Sequence, residues 1–270
     1  MFYLVLSVKR SRYLRGCVML LLSITISFGA CVSPSDGPNN ATPTELASTP
    51  ARTPLPTKPS PPGDWLGRWL KGIPCRPPCW EGITPGQTTP IEAVEIWEQS
   101  PVITAVKIVT LGITPETGIV TWNWVSSGKK GGEAYFHTQP PSSPIYAIHP
   151  YLPPCKLRDV IQAYGDPSHV AATSYYPSDS SDMFYSLSIL YLSQGFILFS
   201  EGGRSKPILS EDTSLESVIF FAPGIEGLQK ASLALAIDLE RFAPWQGIKD
   251  FDFYCRDMKG RPCSQEPASK

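Results

Sequence analysis

The residues of this chain best able to do chemistry are its cysteines, and their spacing restricts what that chemistry can be. Cys75 and Cys79 sit in "CRPPCWEGITPG" with three residues between them, Pro77 and Pro78 included. A redox dithiol is more naturally C-x-x-C at a helix N-terminus in a βαβ setting, and a zinc site wants a second Cys or His pair at ligand spacing. Cys255 and Cys263 are separated by seven residues, and His137, His149 and His169 are scattered singly, so no metal site is expected. In an oxidising compartment structural bridges are the plainer reading, Cys75–Cys79 and Cys255–Cys263 by proximity. Cys155 is then left over, and, with Cys17 and Cys31 of the N-terminal segment set aside, the remaining five of the seven cysteines do not by themselves determine connectivity.

Other catalytic constellations are harder to find. The chain has no G-x-S-x-G, H-E-x-x-H, Walker-type loop or dinucleotide fingerprint. Three histidines leave room for a Ser–His–acid triad, but nothing nominates one; each lies in or beside an expected strand or proline turn. Asp250 and Asp252 could pair, yet their alternation reads equally as the solvated face of a strand. Asp179, Asp182, Glu211 and Asp212 fall in expected loops and read as surface charge rather than a calcium cage. No catalytic residue and no cofactor is therefore expected. With 23 basic against 24 acidic residues the chain lacks the surplus that neutralising phosphates requires, which argues against nucleic acid.

The location of the chain is written more clearly. Lys9, Arg10, Arg12 and Arg15 precede an apolar run from Cys17 to Phe28, and Gly29-Ala30-Cys31 comes directly after it. A basic region, a short apolar core and small residues describe an export signal, and the run is short for a bilayer span. Gly29-Ala30-Cys31 resembles the lipobox of bacterial lipoprotein signal peptides, with Phe28 standing where leucine is commonest. The resemblance implies cleavage after residue 30, a diacylglycerol on the Cys31 thiol and an acyl chain such as palmitate on the new amino group. It places the protein on the extracytoplasmic side of the cell membrane.

Residues 31–63 are mostly Pro, Ser, Thr and small polar residues with no hydrophobic period, and are expected to be a disordered linker. At about 3.1 Å per residue such a tether reaches on the order of 100 Å when fully extended.

The elements that must position these chemical residues lie beyond the linker. "GDWLGRWLKG" predicts a short helix with Asp64 as cap and Gly72 as stop, and Thr89-Pro90-Ile91-Glu92 opens a second with capping-box spacing. Ala93, Ile96 and Trp97 make its apolar stripe, and alternating stretches at 102–111, 118–126, 133–139 and 144–151 read as strands. The pattern then restarts. "KLRDVIQAYGDP" is a helix closed by Gly165, followed by strands beginning at His169, Met183, Gly195 and Leu215, a helix over 228–241 and "IKDFDFYCR". Ile91, Val94 and Pro101 align with Leu157, Val160 and Pro167 at one offset. The expected fold class is α+β: two helix-plus-antiparallel-meander units, 64–152 and 153–270, the second ending in a C-terminal helix. Trp122, Trp124, Tyr135 and His137 could form a contact surface, or pack beneath a helix.

The run "LRDVIQAYGDPSHV", a helix ending in Gly-x-Pro before a strand, resembles the repeat of β-lactamase-inhibitor-like proteins and of SmpA/OmlA-type outer-membrane assembly lipoproteins. The "PCWEGITPG" block is similar to one in uncharacterised bacterial lipoproteins. These resemblances imply binding rather than catalysis. The sequence thus predicts a lipid-anchored cell-envelope protein, not an enzyme, that binds another protein or a wall component. The alternative is an exported hydrolase acting on cell-wall material through an unrecognised carboxylate pair.

Overall fold

The computed structural model describes residues 65–110, 117–140, 142–175, 182–200, 202–235, 237–256 and 262. The expected signal at 1–30, Cys31, the expected linker at 31–63, the expected Asp64 cap, Asp179 and Cys263 lie outside them. The described residues belong to one compact unit.

Local chemistry starts each element. Helix α1, Trp65–Leu70, is stopped by Gly72 at φ +68°, where a side chain would be strained. Helix α2, Pro90–Glu98, begins with the expected capping box: the Thr89 hydroxyl accepts from the Glu92 N–H while the Glu92 carboxylate accepts from the Thr89 N–H at 2.8 Å. Strands β1 (Ile103–Thr110), β2 (Thr117–Trp124), β3 (Lys130–His137) and β4 (Ile145–Pro150) come next as an antiparallel meander. A two-residue strand β5 (Cys155–Lys156) leads into α3, Leu157–Tyr164, whose C-cap is Gly165 at φ +81°. Strands β6 (His169–Tyr175), β7 (Phe184–Tyr191) and β8 (Phe196–Phe199) form a second meander, and β9 (Ser214–Leu215) returns to pair with β5. Strand β10 (Ser217–Phe221), helix α4 (Ile225–Leu235), a 3₁₀ turn at Leu239–Arg241, strand β11 (Ala243–Pro244) and helix α5 (Phe251–Tyr254) complete the order.

The sheet has nine strands in the order β1-β2-β3-β4-β10-β8-β7-β6-β11, antiparallel throughout. It is broadly an α+β architecture, with the last strand of the first meander, β4, lying against β10. Register sorts the side chains onto two faces. Val120, Ala134, Ile148, Phe220, Phe196 and Tyr191 succeed one another across the strands on one face, in the core shared with Trp69, Trp97 and Leu157 of α1, α2 and α3. Ala147, Phe221, Ile219, Ile197 and Leu190 occupy the opposite face, under Leu228 and Ala231 of α4. The middle strands are covered on both sides, which is why "FILF" and "SVIFF" read as unbroken apolar runs. The outer strand β1 is exposed along most of its length.

Several expectations are corrected. The buried stripe of α2 is Pro90, Ala93 and Trp97, while Ile91 and Ile96 point outward. That stripe falls in step with Leu157, Val160 and Tyr164 of α3, one residue out of register from the Ile91–Leu157 alignment. Strand β3 begins at Lys130, inside the segment expected to be a turn. A Cβ on Gly131 would stand 2.3 Å from the Trp122 ring, so glycine is there to admit that indole. The Asp250–Asp252 alternation, read as the solvated face of a strand, belongs to a helical turn instead: Phe251 and Tyr254 are buried three residues apart, and Asp252 faces outward to Lys206 at 2.7 Å. The helix expected over 228–241 starts at Ile225 and ends at Leu235, before a separate 3₁₀ turn.

Because Trp97 is fully buried with its ring 4.3 Å from that of Trp122, Trp97→Ala should cost about 3–5 kcal/mol in urea unfolding, whereas Ile91→Ala should stay within about 0.5. Equal effects would contradict the stripe assigned to α2.

Candidate functional site

The closely spaced cysteine pair is structural. Cys75 and Cys79 are disulfide-bonded, and the chain then turns sharply so that Trp80 and Ile83 exchange N–H···O bonds of 2.8 and 2.9 Å. Glu81, in that turn, receives a 3.0 Å contact from Arg68, both side chains being largely buried. Burial raises the Glu81 carboxyl above its ordinary value in spite of the Arg68 charge. Cys255 is disulfide-bonded as well, with a partner outside the described residues. Cys155 is a free thiol, buried beside an apolar cleft lined by Leu66, Trp69 and Leu215 that has room for about one water molecule. Burial and the Asp159 charge push its thiol up to about 12, so it is neither a nucleophile nor a ligand at neutral pH.

The best candidate lies on the α4 face of the sheet. Register places Glu133 of β3 directly opposite His149 of β4. On the far side of His149, Ser217 of β10 brings its hydroxyl to 2.7 Å from the imidazole Nε2. Glu133 is held from two directions, by the Lys130 ammonium and by the Tyr135 hydroxyl, which both donate to its carboxylate. Tyr151, just past β4, closes the group: Lys130 sits 5.4 Å over its ring and His149 meets it edge-on at 5.0 Å. Lys130 and Tyr151 are exposed, so the patch opens to solvent at its rim while His149 and Ser217 sit half-buried behind it.

The electrostatics derive from that depth. Burial lowers His149 to about 4, against the opposing pull of the Glu133 charge and with a smaller push from Lys130. At neutral pH the imidazole is therefore uncharged, and one ring nitrogen is free to accept a proton. Burial works to raise Glu133, but the hydrogen bonds from Lys130 and Tyr135 outweigh it and hold the carboxyl below its usual range. A hydroxyl, a neutral imidazole and an ionised carboxylate thus stand in sequence across three adjacent strands. The arrangement can hydrogen-bond a polar ligand, and Ser217 and His149 stand as a nucleophile and a base would, with the Glu133 charge on the neighbouring strand.

The other residues singled out by sequence are dispersed. Trp122 and Trp124 are buried on the opposite face, Trp122 against Trp97 of α2, so they pack beneath a helix. Tyr135 and His137 lie on the α4 face, so the expected common surface is split by the sheet itself. His137 packs on Tyr146, and His169 sits at the start of β6. Asp182 and Asp212 make exposed ion pairs with Arg204 and Arg158 respectively. Among the described residues no cluster of three or more His, Cys, Asp or Glu side chains could hold a metal, and no helix is long and apolar enough to cross a membrane. No family model, curated protein or solved structure matches the chain.

Two measurements test these assignments. Unfolded without reductant, the protein should expose Cys155 to iodoacetamide while Cys75 and Cys79 react only after reduction; five free thiols would contradict the bridges. Separately, His149 binds its proton near 4 when folded and near 6.5 when unfolded, so the unfolded state gains protons first as pH falls. Stability should decline between about pH 6.5 and 4, by on the order of 3 kcal/mol at the low end. The lowered Glu133 adds a further loss in the same direction at more acid pH. His149→Gln should flatten the 6.5–4 part of the curve, and an NMR midpoint for His149 above 6 would refute the assignment.

Proposed function

We propose that this chain is a lipid-anchored bacterial cell-envelope protein whose α+β body binds another envelope protein or a wall component through the patch around His149. Cys31 carries the lipid, residues 31–63 act as the tether, and the body works on the extracytoplasmic side of the membrane. The observation that supports binding is the form of the patch. Charged and aromatic side chains, Lys130 and Tyr151, stand exposed at its rim, and hydrogen-bonding groups lie just behind them on a rigid sheet.

The body is further proposed to be two helix-plus-meander units, α2 with β1–β4 and α3 with β6, β7, β8 and β10, joined where β4 meets β10. The inward-facing stripes of α2 and α3, which fall in step, support this reading, as does the resemblance of the α3 run to β-lactamase-inhibitor-like and SmpA/OmlA-type repeats. A second reading, an exported hydrolase acting on cell-wall material, is favoured by one observation: the Ser217–His149 hydrogen bond beside Glu133.

Intact mass of the membrane-extracted protein should show residues 1–30 removed and acyl mass added, and Cys31→Ala should release the protein from the membrane. Co-sedimentation of the full chain with purified wall material, and crosslinking in native membranes, should both detect a ligand whose capture drops at least about tenfold in a Lys130→Ala/Tyr151→Ala variant, a loss of about 1.4 kcal/mol. Freely dissolved protein with an unmodified Cys31 would overturn the anchoring, and capture indifferent to the double substitution would overturn the assignment of the patch.

A further inference from the structure

We propose that Ser217 is a nucleophile toward acyl esters, with His149 as its base and the charge of Glu133 favouring protonation of that base. This rests on the hydrolase reading and names its reacting group and substrate class. It replaces the carboxylate pair expected from sequence with a serine.

The geometry carries the assignment. A serine hydroxyl 2.7 Å from an imidazole nitrogen is at the distance needed to transfer its proton. The acceptor must be Nε2, which places the remaining ring proton on Nδ1. Glu133 is the cross-strand neighbour of His149, and its negative charge favours the imidazolium that forms when the proton arrives. The carboxylate cannot drift toward solvent, because Lys130 and Tyr135 both hold it. All three side chains project from paired strands rather than loops, so their mutual positions are set by sheet register. The rim at Lys130 and Tyr151 is open to solvent, so an ester can approach from that side.

The step balances with water as the only co-reactant. The Ser217 Oγ–H proton passes to Nε2 as Oγ forms a bond to the ester carbonyl carbon. The carbon–oxygen bond to the alcohol then breaks, and the alcohol leaves with the proton from Nε2. Water, giving its proton to Nε2 in turn, attacks the acyl-serine; the product is a carboxylic acid and Ser217 regains its hydrogen.

The low proton affinity of His149 gives this site an uncommon signature. An ordinary histidine base loses activity below about pH 6.5, whereas here the acid limb should fall near pH 4. The charges around it set two further shifts. Glu133→Gln removes the charge that raises His149, so the limb should move to lower pH; Lys130→Met removes the charge that lowers it, so the limb should move up.

The test uses the full-length chain in detergent. A fluorophosphonate probe should modify Ser217, located by peptide mass, and p-nitrophenyl acetate should be turned over. Ser217→Ala should abolish both, and His149→Gln should slow them about 10²-fold. The wild-type labelling result stands whether or not a variant folds. No modification of Ser217 in the wild-type protein, or modification indifferent to His149→Gln, overturns the proposal. Ester turnover that persists in Ser217→Ala also overturns it while leaving an exported hydrolase standing.

Discussion

A short backbone seam bridged by aromatic rings is the contact on which the rest of the structure depends. Strands β4 and β10 meet through the pairs Ile148–Phe220 and Ala147–Phe221, whereas β2 and β3 pair along nearly their whole length. Side chains supply what the backbone does not. Trp80 stacks on Phe220 of β10 at 5.6 Å and meets Trp124 of β2 edge-on at 6.3 Å, so it ties the two meanders, and Trp69 meets Phe196 and Phe220 edge-on at 5.8 and 6.1 Å. Such pairs add about 0.5–1.5 kcal/mol each beyond the area they bury. Both tryptophans come from the segment before α2, which contributes no strand to the large sheet. That segment is itself held by the Cys75–Cys79 bridge and by the Arg68–Glu81 pair. His149 and Ser217 lie on opposite sides of the same seam, so the hydrogen bond between them exists only while the rings on the other face keep the two strands together.

The Arg68–Glu81 pair shows the limits of reading stability from charges. Taking both groups out of water is costly, and the raised Glu81 carboxyl records that cost. The pair is better understood as fixing where Trp80 points than as a large favourable term. Losing one partner would leave the other buried and uncompensated, so the pair resists single changes more than it adds to the folded state.

Much of the fold was legible in the sequence wherever the signal was local. Thr89-Pro90-Ile91-Glu92 announced α2 because a capping box is written in four consecutive residues, and Gly165 announced the end of α3. Where two periods compete, the reading failed: "DFDF" alternates like a strand, yet burying Phe251 and Tyr254 together requires a helical turn. Ile96 fell on the wrong side of α2 for a related reason, since a short helix offers two plausible apolar stripes and only packing chooses between them. The patch around His149 left no local trace at all. Ser217 stands 68 positions from His149, and the two meet only through a sheet order in which β10 inserts beside β4. A motif spread across three strands of one sheet has no spacing to recognise.

The two margins of the sheet bear on how the molecule behaves in company. At one, β11 ends in Pro244, which has no amide hydrogen to offer a newcomer. At the other, the β1 ladder is interrupted between Thr104 and Lys107, with Ala105 in the left-handed region at φ +52° and a lysine among the exposed residues beyond it. Neither margin is a flat template. An unguarded β ribbon invites a second copy to add edge to edge and to grow into fibrils; a proline at one border and a twisted, charged strand at the other oppose that addition.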